Sequence, residues 1–347
     1  MPTVIRSALV ILSLAGPIFA ARAADDKPAE KKPPALTPKE LAEGWILLFD
    51  GETTFGWKKE GAANAEGGLL SVGGDKDGKI TTTTAFGSGL VRWTFRQTGQ
   101  KKAGMSWRGE DRSPLSASND GSWVTEEYEP GAAGTSQITL SAPAGTRLDV
   151  KTMAFRPTGA TPLFSGKDLS GWTVFPGEKY RSKFEVTKEG ELHVTNGPGD
   201  LQTETKYGDF VLQLECKTNG LALNSGIFFR CIAGQYQNGY EMQIQNAYQT
   251  DNRTKPKDFG TGAIYRRVPA RKVVSNDNEW FTMTLIARGS HFSTWVNGYQ
   301  TVDWTDDRKS DENPRKGLRT APGHLSIQGH DPTTDLLFRN IRIAEMK

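Results

Sequence analysis

From Gly239 to Asn246 the chain reads Gly-Tyr-Glu-Met-Gln-Ile-Gln-Asn, a strict alternation of hydrophobic and polar positions. Successive side chains of a strand point to opposite faces, so Tyr240, Met242 and Ile244 share one face and Glu241, Gln243 and Gln245 the other. The first face predicts packing on a core. The second holds one carboxylate and two amides, a row suited either to solvent or to a hydroxyl-rich ligand. Elsewhere short runs rich in Thr, Val, Ile, Phe, Tyr and Trp are broken by Gly, Asn, Asp and Pro, and helical periodicity is scarce. That pattern predicts an all-β sandwich.

The pattern also repeats. Leu48-Phe49-Asp50-Gly51 and Gly56-Trp57 return as Leu163-Phe164-Ser165-Gly166 and Gly171-Trp172. Glu66-Gly67-Gly68-Leu69 returns as Glu189-Gly190-Glu191-Leu192, and Thr82 to Arg96 parallels Thr203 to Lys217. Ala103-Gly104-Met105-Ser106-Trp107-Arg108 matches Ser225-Gly226-Ile227-Phe228-Phe229-Arg230. Four matches in one order predict two related units, over residues 45–157 and 161–347. After Arg108 the first unit shows no counterpart of the 239–246 strand or of Gly262-Ala263-Ile264-Tyr265, so it is expected to be a shortened copy serving as scaffold or accessory module. Trp57, Trp172 and Trp295 occupy repeat or strand positions and are expected in the core.

At 347 residues the chain is long enough for one large or two medium domains. Its net charge of +3, with 43 Lys and Arg against 40 Asp and Glu, is small and dispersed. Nucleic acid is thereby excluded as an expected partner, because phosphate binding needs clustered positive charge. Residues 1–23 carry Arg6, an apolar stretch from Ala8 to Phe19 and a small-x-small site at Ala21-Arg22-Ala23, the pattern of an export signal. The apolar run is short for a membrane span. The mature chain is expected to have no transmembrane helix and to reside in the periplasm or outside the cell. Residues 24–44 are expected to be a flexible linker, charged and rich in proline. Cys216 and Cys231 are expected either to pair or to stand as two buried thiols. Four scattered histidines signal no transition-metal site; a divalent cation such as calcium stays open as a brace for the loops, although no ligand spacing identifies one.

The second unit strings its motifs in a recognisable order. Leu163 to Trp172 is followed by Asn224-Ser225-Gly226-Ile227-Phe228-Phe229-Arg230, Gly239 to Gln245, and Gly260-Thr261-Gly262-Ala263-Ile264-Tyr265. Glu279-Trp280, Trp295-Val296-Asn297-Gly298, Ile327-Gln328-Gly329-His330 and Phe338-Arg339-Asn340-Ile341 complete the series. This resembles the 3-keto-disaccharide hydrolase family, whose members are also described as 3-keto-glucoside lyases and 3-keto-glucal hydratases. The resemblance covers residues 161–347, with a weaker echo over 45–157. It implies a concanavalin A-like jelly-roll sandwich with the ligand on its concave face, no evident cofactor, and oxidised (3-keto) glucosides or disaccharides as substrates.

Ordinary glycosidases flank the scissile bond with two carboxylates. The Gly239–Asn246 strand offers one, followed by two glutamines. A sugar oxidised at C3 has an acidified hydrogen at C2, so one base and an enolate stabiliser suffice for elimination. Within the matched motifs Glu241 and His330 are the candidate base and acid, in either order. Arg230 is the candidate enolate partner. Gln243, Gln245, Asn224, Tyr265 and Phe228 are the candidate substrate contacts, Phe228 by sharing strand parity with Arg230. The loop Thr250 to Gly260 is expected to overhang the site, and Thr305 to Arg319 to be a solvated loop. Two other classes remain open on sequence: a non-catalytic carbohydrate-binding module of the same fold, and a structural surface protein.

Overall fold

The computed structural model describes residues 35–112 and 121–346. The expected export signal and most of the linker lie outside the described residues. The linker's end, residues 38–43, forms one short helix, Pro38–Glu43, capped where Thr37 and Glu40 satisfy each other's backbone amides. Otherwise the described residues form strands and connections, and the strands within each sheet pair antiparallel. The all-β sandwich expected from the sequence is what the chain folds into.

Two two-sheet sandwiches follow one another. In the first, one sheet runs Trp57–Gly61, Gly78–Phe86, Ser136–Ala142, Gly104–Trp107, Glu110–Arg112. In the second, the corresponding sheet runs Trp172–Val174, Gly199–Tyr207, Gly323–Gly329, Ser225–Cys231, Tyr240–Ile244. The strand order is the same. The three-residue strand Glu110–Arg112 therefore stands where the second sandwich has Tyr240–Ile244. This corrects the expectation that no counterpart exists; the strand is too short and too polar to be visible as alternation. The facing sheets also agree in order, but the second extends further, through the hairpin His291–Val296 and Tyr299–Thr305.

The repeated Leu-Phe-x-Gly…Gly-Trp motif has a local cause. The Trp57 indole donates to the Leu48 carbonyl at 2.6 Å, and the Trp172 indole donates to the Leu163 carbonyl at 2.9 Å. Each motif thus closes a loop of the same length with a buried tryptophan as its pin. Both tryptophans and Trp295 are buried, as their positions predicted.

The second sandwich has its own core, which includes Leu214, Ile227, Phe229, Met242, Ile244 and Phe338. The first sandwich completes its core with residues of the second: Val211, Ile286 and Trp295 pack among Phe86, Trp107 and Phe155. The Trp295 indole also donates to the Leu47 carbonyl at 2.9 Å. Beside this apolar contact runs a polar seam. Thr83 donates to Asp303 at 2.8 Å, and the Thr84 and Ser293 hydroxyls share a hydrogen bond of 2.7 Å. Cys216 and Cys231 are buried free thiols.

Candidate active site

The Tyr240–Ile244 strand is the edge of its sheet and pairs with Ser225–Cys231, Gly226 opposite Gln243 and Phe228 opposite Glu241. Directly opposite residues share a face. Tyr240, Met242 and Ile244 join Ile227 and Phe229 in the core, so Glu241 and Gln243 occupy the other face with Gly226 and Phe228. Gly226 is required there: a Cβ on it would sit 2.6 Å from Glu241 Oε1 and 2.8 Å from Glu241 Cγ. The glycine of the Asn-Ser-Gly motif is the space into which the glutamate folds.

The Gly260–Tyr265 motif covers the strand's free edge. Its Tyr265 amide donates to the Glu241 carbonyl at 2.8 Å, and the Gln243 amide donates to the Ala263 carbonyl at 3.0 Å. This brings the Tyr265 ring beside Glu241. Above the two strands lies a cavity of about 540 Å³, within the range of small-molecule sites. It is lined by Asn224, Glu241, Gln243, Tyr265 and His330, all expected from the sequence, together with Pro198, Tyr236, Gln237, Asn238, Arg266, Arg315 and Gln328.

Glu241 is only 6% exposed. Burial pushes its carboxyl up to about 8, and the negative charges of Asp258 and Asp200 add to this. Arg315 and Arg266 act in the opposite sense but do not offset it. The nearest Arg315 nitrogen is 3.8 Å from Glu241 Oε2, beyond hydrogen-bond reach. A buried carboxyl in this state carries its proton at neutral pH.

His330, at the end of the Gly323–Gly329 strand, is partly exposed, with Nδ1 2.7 Å from Asp331 Oδ2. Burial pushes the Asp331 carboxyl up, but hydrogen bonds from Thr333 and His330 outweigh it and hold it below its ordinary range. An ionised carboxylate only accepts, so the proton of a neutral His330 ring sits on Nδ1 and Nε2 is left as an acceptor.

The amides are partly spent and partly free. Gln243 Nε2 donates to the Asp258 carboxylate at 3.1 Å and to Asn224 Oδ1 at 3.3 Å, while Asn224 Nδ2 donates to Asp258 at 2.8 Å. Through Asp258 the 250–260 loop reaches the site. Gln243 Oε1, Gln328 Oε1 and Asn238 Oδ1 are buried and have no protein partner among the described residues. Buried acceptors without partners are rare, and three around one cavity mark where hydroxyl donors fit.

Three expected residues are elsewhere. Gln245 shares the face of Glu241, but its amide donates to the Ala222 carbonyl at 3.1 Å and accepts from the Ala247 amide at 3.0 Å, outside the cavity lining. Phe228 is fully buried beneath Arg315, whose guanidinium lies 5.4 Å from the ring centre. Arg230 is the larger correction. Its φ of 54° and a register shift between Phe228 and Cys231 break the alternation that would have aimed it at the cavity. Its guanidinium instead donates to Asp209 at 3.0 Å, to the Arg319 carbonyl at 2.9 Å and to the Gly289 carbonyl. It is a buried anchor.

The cations that line the cavity are Arg266 and Arg315, the latter in the segment expected to be a solvated loop. That segment is folded: Arg308 forks onto buried Asp306 at 2.8 Å and donates to the carbonyls of Pro314 and Gly317. Arg315 Nε donates to the Gln237 carbonyl at 2.9 Å, tying this loop to the Tyr236–Asn238 loop. A second buried carboxylate also emerges. Asp200 receives the Gln237 amide at 3.0 Å and is pushed up to about 7 by burial, which outweighs the hydrogen bonds from Gln237 and Ser326. It lies outside the cavity lining and supports the loop that forms one wall. No sequence periodicity distinguishes either residue; only the three-dimensional return of the chain does.

The model of one protein family, described as the 3-keto-alpha-glucoside-1,2-lyase-like domain, matches residues 44–143 and 159–344. No curated protein matches the chain. Among similar solved structures are two Parabacteroides distasonis proteins described as candidate glycosyl hydrolases. One is 22% identical with a TM-score of 0.45, covering 55% of this chain and 94% of its own. The other is 25% identical with a TM-score of 0.43, covering 55% and 100%. A carbohydrate-binding module from Bacillus subtilis is 16% identical with a TM-score of 0.34, covering 49% and 93%.

Proposed function

The chain belongs to the 3-keto-alpha-glucoside-1,2-lyase-like domain family, a carbohydrate-acting one, and on that premise we propose that it cleaves 3-keto-glucosides by elimination in the cavity above Glu241. The observation that carries the reading is that one cavity is lined both by the buried Glu241, whose carboxyl burial pushes up to about 8, and by His330, whose Nδ1 is taken by Asp331.

In this reading His330 Nε2 removes the C2 hydrogen, which the neighbouring C3 ketone acidifies, and Asp331 steadies the resulting imidazolium. The electron pair moves into the enolate, whose oxygen Arg315 stabilises with a fixed positive charge. The enolate reforms the ketone, a C1–C2 double bond forms, and the C1–oxygen bond breaks. Glu241 passes its proton to the departing oxygen. The products are a 3-keto-2-hydroxyglucal and the free leaving group; later addition of water across the double bond would give net hydrolysis. Gln243, Gln328 and Asn238 supply acceptors for sugar hydroxyls, and Tyr265 a ring edge or phenol beside them. We further read the first sandwich as a shortened copy that braces the second, and residues 1–23 as an export signal that places the mature chain outside the cytoplasm.

The test compares a 3-keto-glucoside with its unoxidised parent. Turnover of the oxidised glucoside alone, with an enone product absorbing in the ultraviolet, is expected. Glu241→Gln and His330→Asn are each expected to lower kcat by about a hundredfold or more. Retention of full activity by either would sink its assigned role. The three unpartnered amide acceptors equally suit a binding module. Binding of both sugars with turnover of neither would favour that second reading.

A further inference from the structure

The cavity has a side chamber. A second space of about 250 Å³ adjoins the first and shares Glu241, Tyr265, Arg266 and Arg315 with it, while Arg267 lines the second alone. His330 lines only the main cavity.

Three guanidiniums border this small chamber, and an arginine is charged at every working pH. Their neighbours do not neutralise them. No carboxylate among the described residues lies within ion-pair distance of Arg266 or Arg267, and Arg315 reaches Glu241 only at 3.8 Å. Asp306, the acid closest in influence to Arg267, is held by Arg308 at 2.8 Å and by the Tyr240 hydroxyl at 2.6 Å. Arg267 spends its nitrogens on the carbonyls of Arg266 and Arg315. Burial, then the charge of Arg308, lowers its pKa despite Asp306. The backbone is also held in an unusual shape here, with Arg266 at φ 57°. Strained non-glycine residues persist where the surroundings over-determine them, commonly at ligand sites.

We propose that this side chamber is a leaving-group subsite that takes an oxyanion, a carboxylate or sulfate carried by the group attached through the glycosidic oxygen. The leaving-group assignment rests on the reaction proposed above. Glu241 stands on the wall common to both spaces and protonates the glycosidic oxygen there. The 3-keto ring, whose C2 hydrogen goes to His330, then occupies the main cavity. Whatever is bonded through that oxygen extends past Glu241, toward Arg266 and Arg267. A carboxylate or sulfate presents the flat oxygen pair or triad that forked guanidiniums grip.

The experiment measures two things on the full chain. Calorimetry compares phenyl glucoside, 4-carboxyphenyl glucoside and 4-(sulfooxy)phenyl glucoside (the sulfate ester), none of them oxidised, at low and at 0.3 M salt. The anionic ligands are expected to bind roughly tenfold or more tightly than the neutral one at low salt, and to lose most of that advantage at high salt. The Arg266→Gln/Arg267→Gln variant is expected to erase the preference, and Arg266→Lys to keep part of it. Equal affinity for the three ligands, or a preference untouched by the double substitution, overturns the proposal. Carboxylate and sulfate arms separate the two anion types. Kinetics on the corresponding 3-keto-glucosides then reads the ratio of kcat/KM for charged over neutral leaving groups, expected to fall in the double variant. A persistent binding preference with no turnover of any 3-keto-glucoside would reject the lyase reading while leaving an oxyanion subsite.

Discussion

Replacing Glu241 with glutamine should make the protein more stable as it makes it inactive, and the gain should grow with pH. The buried carboxyl titrates at about 8 instead of the ordinary 4.5, because burial penalises its charged form. At 1.36 kcal/mol per pH unit, that gap corresponds to about 5 kcal/mol between the folded and unfolded proton affinities. The folded state binds the proton more tightly. Its stability is therefore fully present below about pH 4.5 and is lost as pH rises through 8. Glutamine never ionises, fills the same volume above Gly226, and removes this dependence. Between pH 5 and pH 9 the variant should gain about 4 kcal/mol on the parent, which for a chain of this size is about 6 °C in Tm. Urea unfolding at pH 5, 7 and 9, followed by circular dichroism, reads the difference directly. Turnover of a 3-keto-glucoside by the same samples reads the functional loss. Parallel stability profiles for parent and variant would refute the claim that Glu241 is held neutral by burial. The proposed proton donor would then lose its physical basis.

Gly226→Ala places a methyl group 2.6 Å from Glu241 Oε1 and 2.8 Å from its Cγ, so the side chain swings aside at a cost of about 1–3 kcal/mol; kcat should fall about a hundredfold while Tm drops by only about 1–4 °C, and an unchanged kcat would show that Glu241 does not need that space. Asp200→Asn should flatten the remaining loss of stability between about pH 4 and 7, since burial raises that carboxyl to about 7 and its folded form keeps the proton; a pH profile identical to the parent's would contradict this. Residues 161–347 expressed alone would expose Val211, Ile286 and Trp295, which pack within the first sandwich's core, at about 1.5–3 kcal/mol each; a fragment with the full chain's Tm would show that the sandwiches are energetically independent.

Much of the fold was legible because β-structure writes a period of two into the sequence. Tyr240, Met242 and Ile244 fell on the core as their spacing required, and so did Ile227 and Phe229. The repeated Leu-Phe-x-Gly…Gly-Trp motif was legible for a different reason. A tryptophan that must reach a carbonyl nine residues back constrains every residue between. Glu110–Arg112 was not legible, because three residues give alternation nothing to alternate over.

The site was legible to the same limit. Glu241, Gln243 and Asn224 sit on or beside regular strands, and the register of 225–231 against 240–244 brings them together. Arg230 lies on the same strand yet fails, because one left-handed residue at a bulge reverses the facing of everything carried on it. The guanidiniums in the cavity wall come instead from loops, Arg266 and Arg315, and the position of Arg315 depends on Arg308 gripping Asp306 and on a hydrogen bond to Gln237. Neither contact follows from periodicity, since both join loops to loops. The floor of this cavity is thus specified by strand pattern, whereas its charge is specified by loop closure. Substitutions in the Asp306–Arg319 loop should therefore alter reactivity and substrate choice while leaving the sandwich intact, and substitutions at Gly226 or Glu241 should act on the floor itself.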